Sequence, residues 1–391
     1  MPDRESPNPQ TPDPPSFEIG PIRPPSEAGS LLLRLTRNCP WNRCAFCNTY
    51  RGEKYSRRKT EEVLRDVATA RAVADEIRSL SMSVGEAGGI GESTAAALRR
   101  RPALAEVHGN VANFLLNGSL TVFLQDADPH PGPMVETAGI LRAVREAFPS
   151  VERVTTYCRS KTAARLGAET FRVLKAAGLD RVHIGMESGS DAVLSLVRKG
   201  AAAEDHVRGG CAAKEAGLEL SEYWMPGLGG LAMTEEHARA SAEAINRIGP
   251  DFVRLRTLAV VSGADLPGEV EAGRFERLGE DGTVREIRDF VNRLDVPLRL
   301  ESDHVLNLLE EVRGDLPADR DAVLALLDGY LALPEPERVR FCIGRRLGAF
   351  RRLGDLHGPM RPRVEKAVER LGVKTSREAD EVVGDMMARF V

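Results

Sequence analysis

The sequence predicts an α/β protein: a six-unit partial (β/α)6 barrel, TIM-like in its wiring, followed by a helical C-terminal extension. Six short apolar runs, at 31–36, 120–124, 151–157, 181–186, 218–223 and 251–257, have the length and continuity of buried parallel strands. Helical patterns lie between them, and strand–helix units in series imply parallel strands with right-handed crossovers. Six units are too few for a closed eight-fold barrel. After about residue 298 the strand signals stop and helical ones take over.

Taken in order, residues 1–29 hold nine of the 24 prolines and little apolar content before Phe17. Such a composition buries too little surface to order itself and predicts a disordered tail. The first helix opens at Thr60, whose hydroxyl caps while Glu61 and Glu62 complement the dipole. Val63, Val67, Ala70, Ala74 and Ile77 form its apolar face. Residues 81–119 read as an insertion with helices near 93–107 and 110–116, and the glycine-rich 85–91 within it as a flexible connector. Ile140, Leu141, Val144 and Phe148 supply the next face. Leu166, Phe171 and Leu174 supply another before Gly178, a good C′ residue. Further helices are expected near 191–199, 203–216, 234–248 and 284–294, and in the extension at 305–312, 322–331 and 363–371. The expected organisation is a tail at 1–29, the barrel at 30–297 and a helical accessory region at 298–391.

The 391 residues carry 54 basic and 58 acidic side chains, a net charge of -4, so no overall basic field points to nucleic acid. No apolar run approaches the roughly 18 residues of a membrane span. The N-terminus lacks the charged start and apolar core of a secretory signal. Six cysteines are far below disulfide-scaffold density. Their placement matters more: Cys39, Cys44 and Cys47 crowd together while Cys158, Cys211 and Cys342 are scattered, which favours a metal or redox site.

The cysteine segment runs Thr36-Arg37-Asn38-Cys39-Pro40-Trp41-Asn42-Arg43-Cys44-Ala45-Phe46-Cys47-Asn48 and directly follows the first strand. It therefore lies in the first βα loop, at the C-terminal end of the sheet, where such folds place their chemistry. Three thiolates on one loop suit three irons of a four-iron cluster, leaving the fourth iron open. A structural zinc site wants four ligands. His108 or His130 is a conceivable fourth ligand, and unligated thiols are the remaining alternative.

Here the sequence resembles the radical S-adenosylmethionine (SAM) superfamily over roughly 31–258, in the branch with oxygen-independent coproporphyrinogen oxidase, Elp3 and methylthiotransferases. The aromatic Phe46 before the last cysteine belongs to that signature. The cysteine spacing is four then two residues, where three then two is usual. The resemblance implies a [4Fe-4S] cluster on Cys39, Cys44 and Cys47 that chelates SAM. One electron would cleave a sulfonium C–S bond to give a 5′-deoxyadenosyl radical, which abstracts hydrogen from a small or modest-sized substrate. It implies an electron donor such as flavodoxin or ferredoxin and, because an open cluster is oxygen-labile, a reducing cytoplasm. A binding protein that carries cluster and SAM without radical turnover is the alternative.

Residue by residue, the family's Gly-Gly-Glu-like stretch falls on Phe123-Leu124-Gln125-Asp126-Ala127-Asp128, where the glycines are missing. Asp126 or Asp128 is placed to accept from the SAM ammonium, or to cap the next helix. Gly185-Met186-Glu187-Ser188-Gly189 resembles the segment that contacts the SAM ribose or methionine. Lys199 matches the residue that pairs with the SAM carboxylate, with Arg198 and Arg159 as competitors. Pro226 and Gly227 match a stretch whose backbone approaches the adenine, where glycine tolerates close contact. On the substrate side, Arg254 and Arg256 share one strand face and await either a substrate anion or internal acids. Tyr223 and His304 are the candidates for radical quenching or proton transfer, while Asp303 is placed to cap a helix starting at 305.

Overall fold

The computed structural model describes residues 17–100, 105–129 and 134–388. Its core is one eight-stranded sheet whose spatial order follows the chain. The strands are β1 (Leu31–Arg34), β2 (Thr121–Gln125), β3 (Arg153–Cys158), β4 (Arg181–Glu187), β5 (Glu219–Trp224), β6 (Phe252–Leu255), β7 (Leu298–Glu301) and β8 (Gly314–Leu316). Neighbours from β1 to β7 pair in parallel, with Leu33 opposite Leu124 and Thr156 opposite Val182, while β8 runs antiparallel to β7. All six expected strands are present, and helices cover them on the outside.

Alternation sorts the side chains onto two faces. Trp224 on β5 stacks on Phe290 of helix Glu280–Asn292 with centroids 3.8 Å apart, so that face meets the helices. Its neighbour Tyr223 turns the other way, into the barrel, where its ring stacks on His183 of β4 at 5.4 Å. Phe123 and Tyr157 meet edge to face in the same interior at 5.0 Å.

Three expectations need correction. Strand signals do not stop at 298: Leu298 and Leu300 are buried and Arg299 and Glu301 half-buried, a two-residue period too short to stand out beside helical neighbours. The stretch 305–312 is not a helix but a run of turns. Asn307 replaces helical hydrogen bonds there by accepting from Thr257 N at 3.1 Å and donating to Leu255 O at 3.0 Å. Two helices, Glu335–Arg346 and Ser376–Met387, join Arg320–Leu331 and Arg361–Leu371 in the extension.

The third correction concerns the proline-rich tail, of which 1–16 lie outside the described residues. From Phe17 onward the chain is packed. Glu18 pairs with Arg34 at 2.9 Å and Arg37 at 2.6 Å. Gly20 N donates to Gln125 Oε1 at 2.9 Å, while Gln125 returns bonds to the carbonyls of Gly20 and Ile22. Glu27 is fully buried beside Arg153 at 3.2 Å and His183 at 3.6 Å. Burial works against its charge, but His183, Arg153 and Ser30 outweigh it and hold the carboxyl below its usual range. Specific ionic partners, rather than apolar content, order this segment.

Inside the 81–119 insertion, helices Glu92–Arg99 and Ala105–Leu116 form. The connector before them is fixed by Glu86, which accepts from Gly91 N at 2.8 Å and Ser93 N at 2.9 Å. Asn110 reaches the free edge of β1, accepting from Leu32 N at 3.2 Å and donating to Leu32 O at 3.0 Å. A side-chain amide thus stands in for a missing strand.

The extension docks through carboxyls. Asp380 caps helix Glu280–Asn292 from outside, accepting from Glu280 N at 2.8 Å. Burial, with Glu280 and Asp281 adding and Arg277 opposing, pushes its carboxyl up to about 6. An acid that holds its proton more tightly when folded loses stabilising effect as pH rises from the usual carboxylate range through about 6. Thermal melts of wild type and Asp380→Asn from pH 4 to 7 should therefore converge at the acid end, with the wild type falling behind as pH rises. Parallel curves would contradict this. Glu27→Ala, which removes the buried partner of the half-buried Arg153, should cost about 1–3 kcal/mol in urea unfolding. A loss within error of zero would remove Glu27 from the account of the barrel floor.

Candidate functional site

The cysteine loop sits at the C-terminal end of β1, between the strand and helix Thr60–Ser83. Asn38 and Asn42 take left-handed backbone, φ 69° and 47°, which asparagine tolerates better than most residues. These two bends give the wide loop that four intervening residues require. Asn42 Nδ2 also bridges to the carbonyls of Tyr50 and Glu53, and Arg51 gathers the carbonyls of Cys44 at 2.6 Å and Cys47 at 3.1 Å. Cys39, Cys44 and Cys47 are free and partly exposed.

The loop rests on the turn after helix Asp191–Leu196. Ala45 N donates to Val197 O at 2.8 Å, and Trp41 Nε1 to Arg198 O at 2.8 Å. Trp41 lies flat on Gly200, whose φ is 71° and where a Cβ would stand 2.3 Å from the indole. Arg159, from the end of β3, covers Trp41 at 5.4 Å and donates to Lys199 O at 3.3 Å.

At the centre is an ion pair, Lys199 Nζ to Glu187 Oε1 at 3.0 Å, with both side chains 12% exposed. Glu187 ends β4 with φ 64°. Gly185 leaves room for the pair: a Cβ there would meet Glu187 Oε1 at 2.5 Å and Lys199 Nζ at 3.2 Å. Burial opposes the ammonium, but Glu187 and Cys44 outweigh it, so Lys199 holds its proton more firmly than usual. The ammonium lies 5.9 Å from the Phe46 ring. Cys44 is pushed up to about 11 by burial, against Lys199 and reinforced by Cys47, Cys39 and Glu187.

A four-iron cluster takes one thiolate per iron, and the three free cysteines that this loop holds together suit three of its irons. Of the two histidines considered as a fourth ligand, His108 lies on helix Ala105–Leu116 beside Glu76 at 3.4 Å, and His130 is outside the described residues.

The family profile described as "Radical SAM superfamily" matches residues 33–245. The chain belongs to the radical SAM superfamily. Members of the superfamily hold a [4Fe-4S] cluster and SAM, the two cofactors that this chain's donor set suits. Two tRNA uridine(34) acetyltransferases are similar to part of it. The one from Methanocaldococcus infernus is 26% identical over 138 residues, 35% of this chain and 24% of that protein. The one from Dehalococcoides mccartyi is 30% identical over 99 residues, 25% of this chain and 22% of that protein. The match thus spans about a quarter of each relative. Among solved structures, the archaeal Methanocaldococcus infernus Elp3 overlays with TM-score 0.40 and 16% identity over 54% of this chain and 53% of that one. Coproporphyrinogen III oxidase (HemN) from Escherichia coli does so with TM-score 0.38 and 12% identity over 93% and 90%.

The radical SAM segments named from sequence divide in space. Glu187 and Lys199 lie near Cys44, with the Phe46 ring 5.9 Å from the Lys199 ammonium and Arg159 on the Lys199 carbonyl. Ser188 is buried behind them, accepting from Ser190 N at 3.0 Å. Pro226 and Gly227 are buried at the end of β5, and Gly227 N donates to Glu286. Asp126 is engaged elsewhere: fully buried, it pairs with Arg34 at 2.7 Å and accepts from Tyr50. Asp128 accepts from Thr162, and burial, opposed by Thr162 and Arg159, pushes it up to about 6. Its Oδ1 has no hydrogen-bond partner. Arg254, Arg256 and His304 gather around Asp303 at the barrel mouth, so Asp303 binds arginines and caps no helix.

Sequence reading missed His237 and Glu286. Trp224 Nε1 lies 3.1 Å and Glu187 O 3.2 Å from His237 Nε2, and His237 Nδ1 faces Glu286 Oε1 at 3.0 Å. Glu286 therefore ties Gly227, Thr234 and His237 together beneath the Pro226–Gly227 turn. No short motif marks these residues, because they lie on two different helices. Gly200→Ala should displace Trp41 and loosen the loop, lowering iron and sulfide per chain after anaerobic reconstitution, with the left-handed backbone at Gly200 adding a loss of about 1 kcal/mol to the apo chain in urea. Unchanged iron content would show that the Trp41 seat does not hold the loop.

Proposed function

We propose that the chain is a radical SAM enzyme that binds SAM between the cysteine loop, the Glu187–Lys199 pair and the Pro226–Gly227 turn. The observation that carries this reading is the buried ion pair beside Cys44. An acid and an ammonium 3.0 Å apart present opposite charges to a zwitterion. In this reading Lys199 takes the SAM carboxylate, while Glu187 and Ser188 meet the ribose or methionine. When bound, the cluster and SAM supply reductive cleavage of a sulfonium C–S bond, giving the 5′-deoxyadenosyl radical used for hydrogen abstraction.

The protein's part is orientation and exclusion of water. Phe46 and Trp41 cover the loop, Arg159 backs Lys199, and Asp128 orients that neighbourhood. Asp126, held by Arg34 and Tyr50, braces the loop from inside rather than presenting a free acceptor. Substrate, of small or modest size, meets Tyr223, His304, Arg254 and Arg256 in the mouth. Burial pushes the Tyr223 hydroxyl up to about 12 despite Arg256 and Arg254, so it stays protonated and fit to donate hydrogen.

Flavodoxin or ferredoxin would serve as electron donor in a reducing cytoplasm. Among the described residues no helix is long and apolar enough to cross a membrane. The tRNA named for the two relatives is not carried over, since a net charge of -4 offers no basic field.

Anaerobic reconstitution followed by dithionite and SAM tests the reading. We expect 5′-deoxyadenosine from wild type, none from Cys44→Ala, and a SAM affinity weakened about tenfold or more in Lys199→Met, the loss of one charge-assisted contact. A bound cluster with intact SAM would instead indicate a carrier without radical turnover.

A further inference from the structure

The mouth of the barrel carries an unbalanced charge. Arg254 on β6 and Arg256 just beyond it both turn onto Asp303, Arg256 through Nη1 at 2.6 Å. Arg254 Nε is satisfied by Ser221 at 3.2 Å. Arg256 Nη1 also meets Leu255 O at 2.8 Å, yet Nη2 is buried with no hydrogen-bond partner. Glu301 stands beside Arg254 in the ladder, but its carboxylate is on Arg299 at 2.9 Å. His304 brings no charge at neutral pH, since burial with Arg256 pushes it down to about 4. Two guanidiniums face one carboxylate.

Both carboxylate oxygens of Asp303 are already engaged, one by Arg254 and one by Arg256 Nη1. Its loop is clamped by Asn307, which bonds Thr257 N at 3.1 Å and Ser302 Oγ at 3.0 Å. Arg345 and Arg346 of helix Glu335–Arg346 hold the carbonyls of Asn307 at 3.2 Å and Leu306 at 2.9 Å. A buried surplus cation is unfavourable until an anion joins it. Beneath the guanidinium lies the Tyr223 ring at 4.6 Å, and Tyr157 adjoins that ring at 6.1 Å. The floor is aromatic and the free donor points over it.

We propose that the substrate carries an oxyanion, a carboxylate or phosphate group, which docks on Arg256 Nη2 with the rest of the molecule over Tyr223 and Tyr157. This rests on the enzyme reading above and names the substrate class for its barrel mouth. Arg256 is then the specificity residue, and Asp303 the residue that orients it and tunes its charge.

The test uses the full chain without SAM or reductant, at constant ionic strength. Acetate and inorganic phosphate are the probes, with acetamide as the uncharged control, followed by calorimetry and thermal shift. One oxyanion should bind saturably and acetamide should not. Stronger acetate binding assigns a carboxylate, and stronger phosphate binding a phosphate. Arg256→Gln should weaken that binding by at least about tenfold, the loss of one charge-assisted contact. Asp303→Asn frees both guanidiniums and should tighten it several-fold. Equal affinity in wild type and Arg256→Gln, or acetamide binding as well as acetate, overturns the proposal. Should Arg256→Gln fail to fold, the absence of any gain in Asp303→Asn overturns it instead. No SAM is consumed, so a chain that made no 5′-deoxyadenosine yet bound acetate would sink the enzyme reading and leave this site standing.

Discussion

The ion pair between Glu187 and Lys199 is the constraint around which the site is arranged. It joins the end of β4 to the turn that seats the cysteine loop, so one contact fixes both walls of the proposed SAM cleft. Taking two charges out of water is expensive, and their attraction offsets it only where geometry and further contacts are good. Here the surroundings supply both. Gly185 vacates the volume, Glu187 accepts a left-handed backbone to turn its carboxylate inward, and Phe46 lies near the ammonium. The Cys44 thiol feels that ammonium in turn, since Lys199 works against the rise that burial imposes on it.

A second layer holds this geometry in place. Gly189 passes so near helix Thr234–Ile248 that a Cβ would stand 2.3 Å from Ala240 O, and its N–H donates to Ser241 Oγ at 2.9 Å. The same helix presents His237 to Trp224, and helix Glu280–Asn292 presents Glu286 to Gly227. The helical extension acts further out, through Asp380 on the end of one barrel helix and Arg345 and Arg346 on the loop that carries Asp303. Its contacts are those of a brace on the mouth.

Much of this was legible in the chain itself because it is local. The three cysteines share one loop, and the Gly-x-Glu-Ser-Gly segment is contiguous. Short apolar runs mark the six strands because most of their residues are buried. The remainder depends on partners far apart in sequence. Nothing near Glu18 or Glu27 announces an arginine waiting for it, so a proline-rich composition reads as disorder. Apolar spacing across 305–312 imitates a helix, while the hydrogen bonds that decide otherwise come from Thr257, Arg345 and Arg346. Asp126 lies at a strand end where a ligand acceptor is expected, and only the fold reveals Arg34 and Tyr50 already there.

The buried Glu27 also sets an order of events. Its partner Arg153 lies 126 residues downstream, and His183 and Arg181 lie further still. A ribosome delivers residues from the N-terminus at a steady pace. The first described segment is therefore made long before the strands that neutralise it exist, and its carboxylate stays in water until β3 and β4 emerge. The barrel floor can close only once β3 and β4 are made, so this segment waits for partners that follow it in the chain.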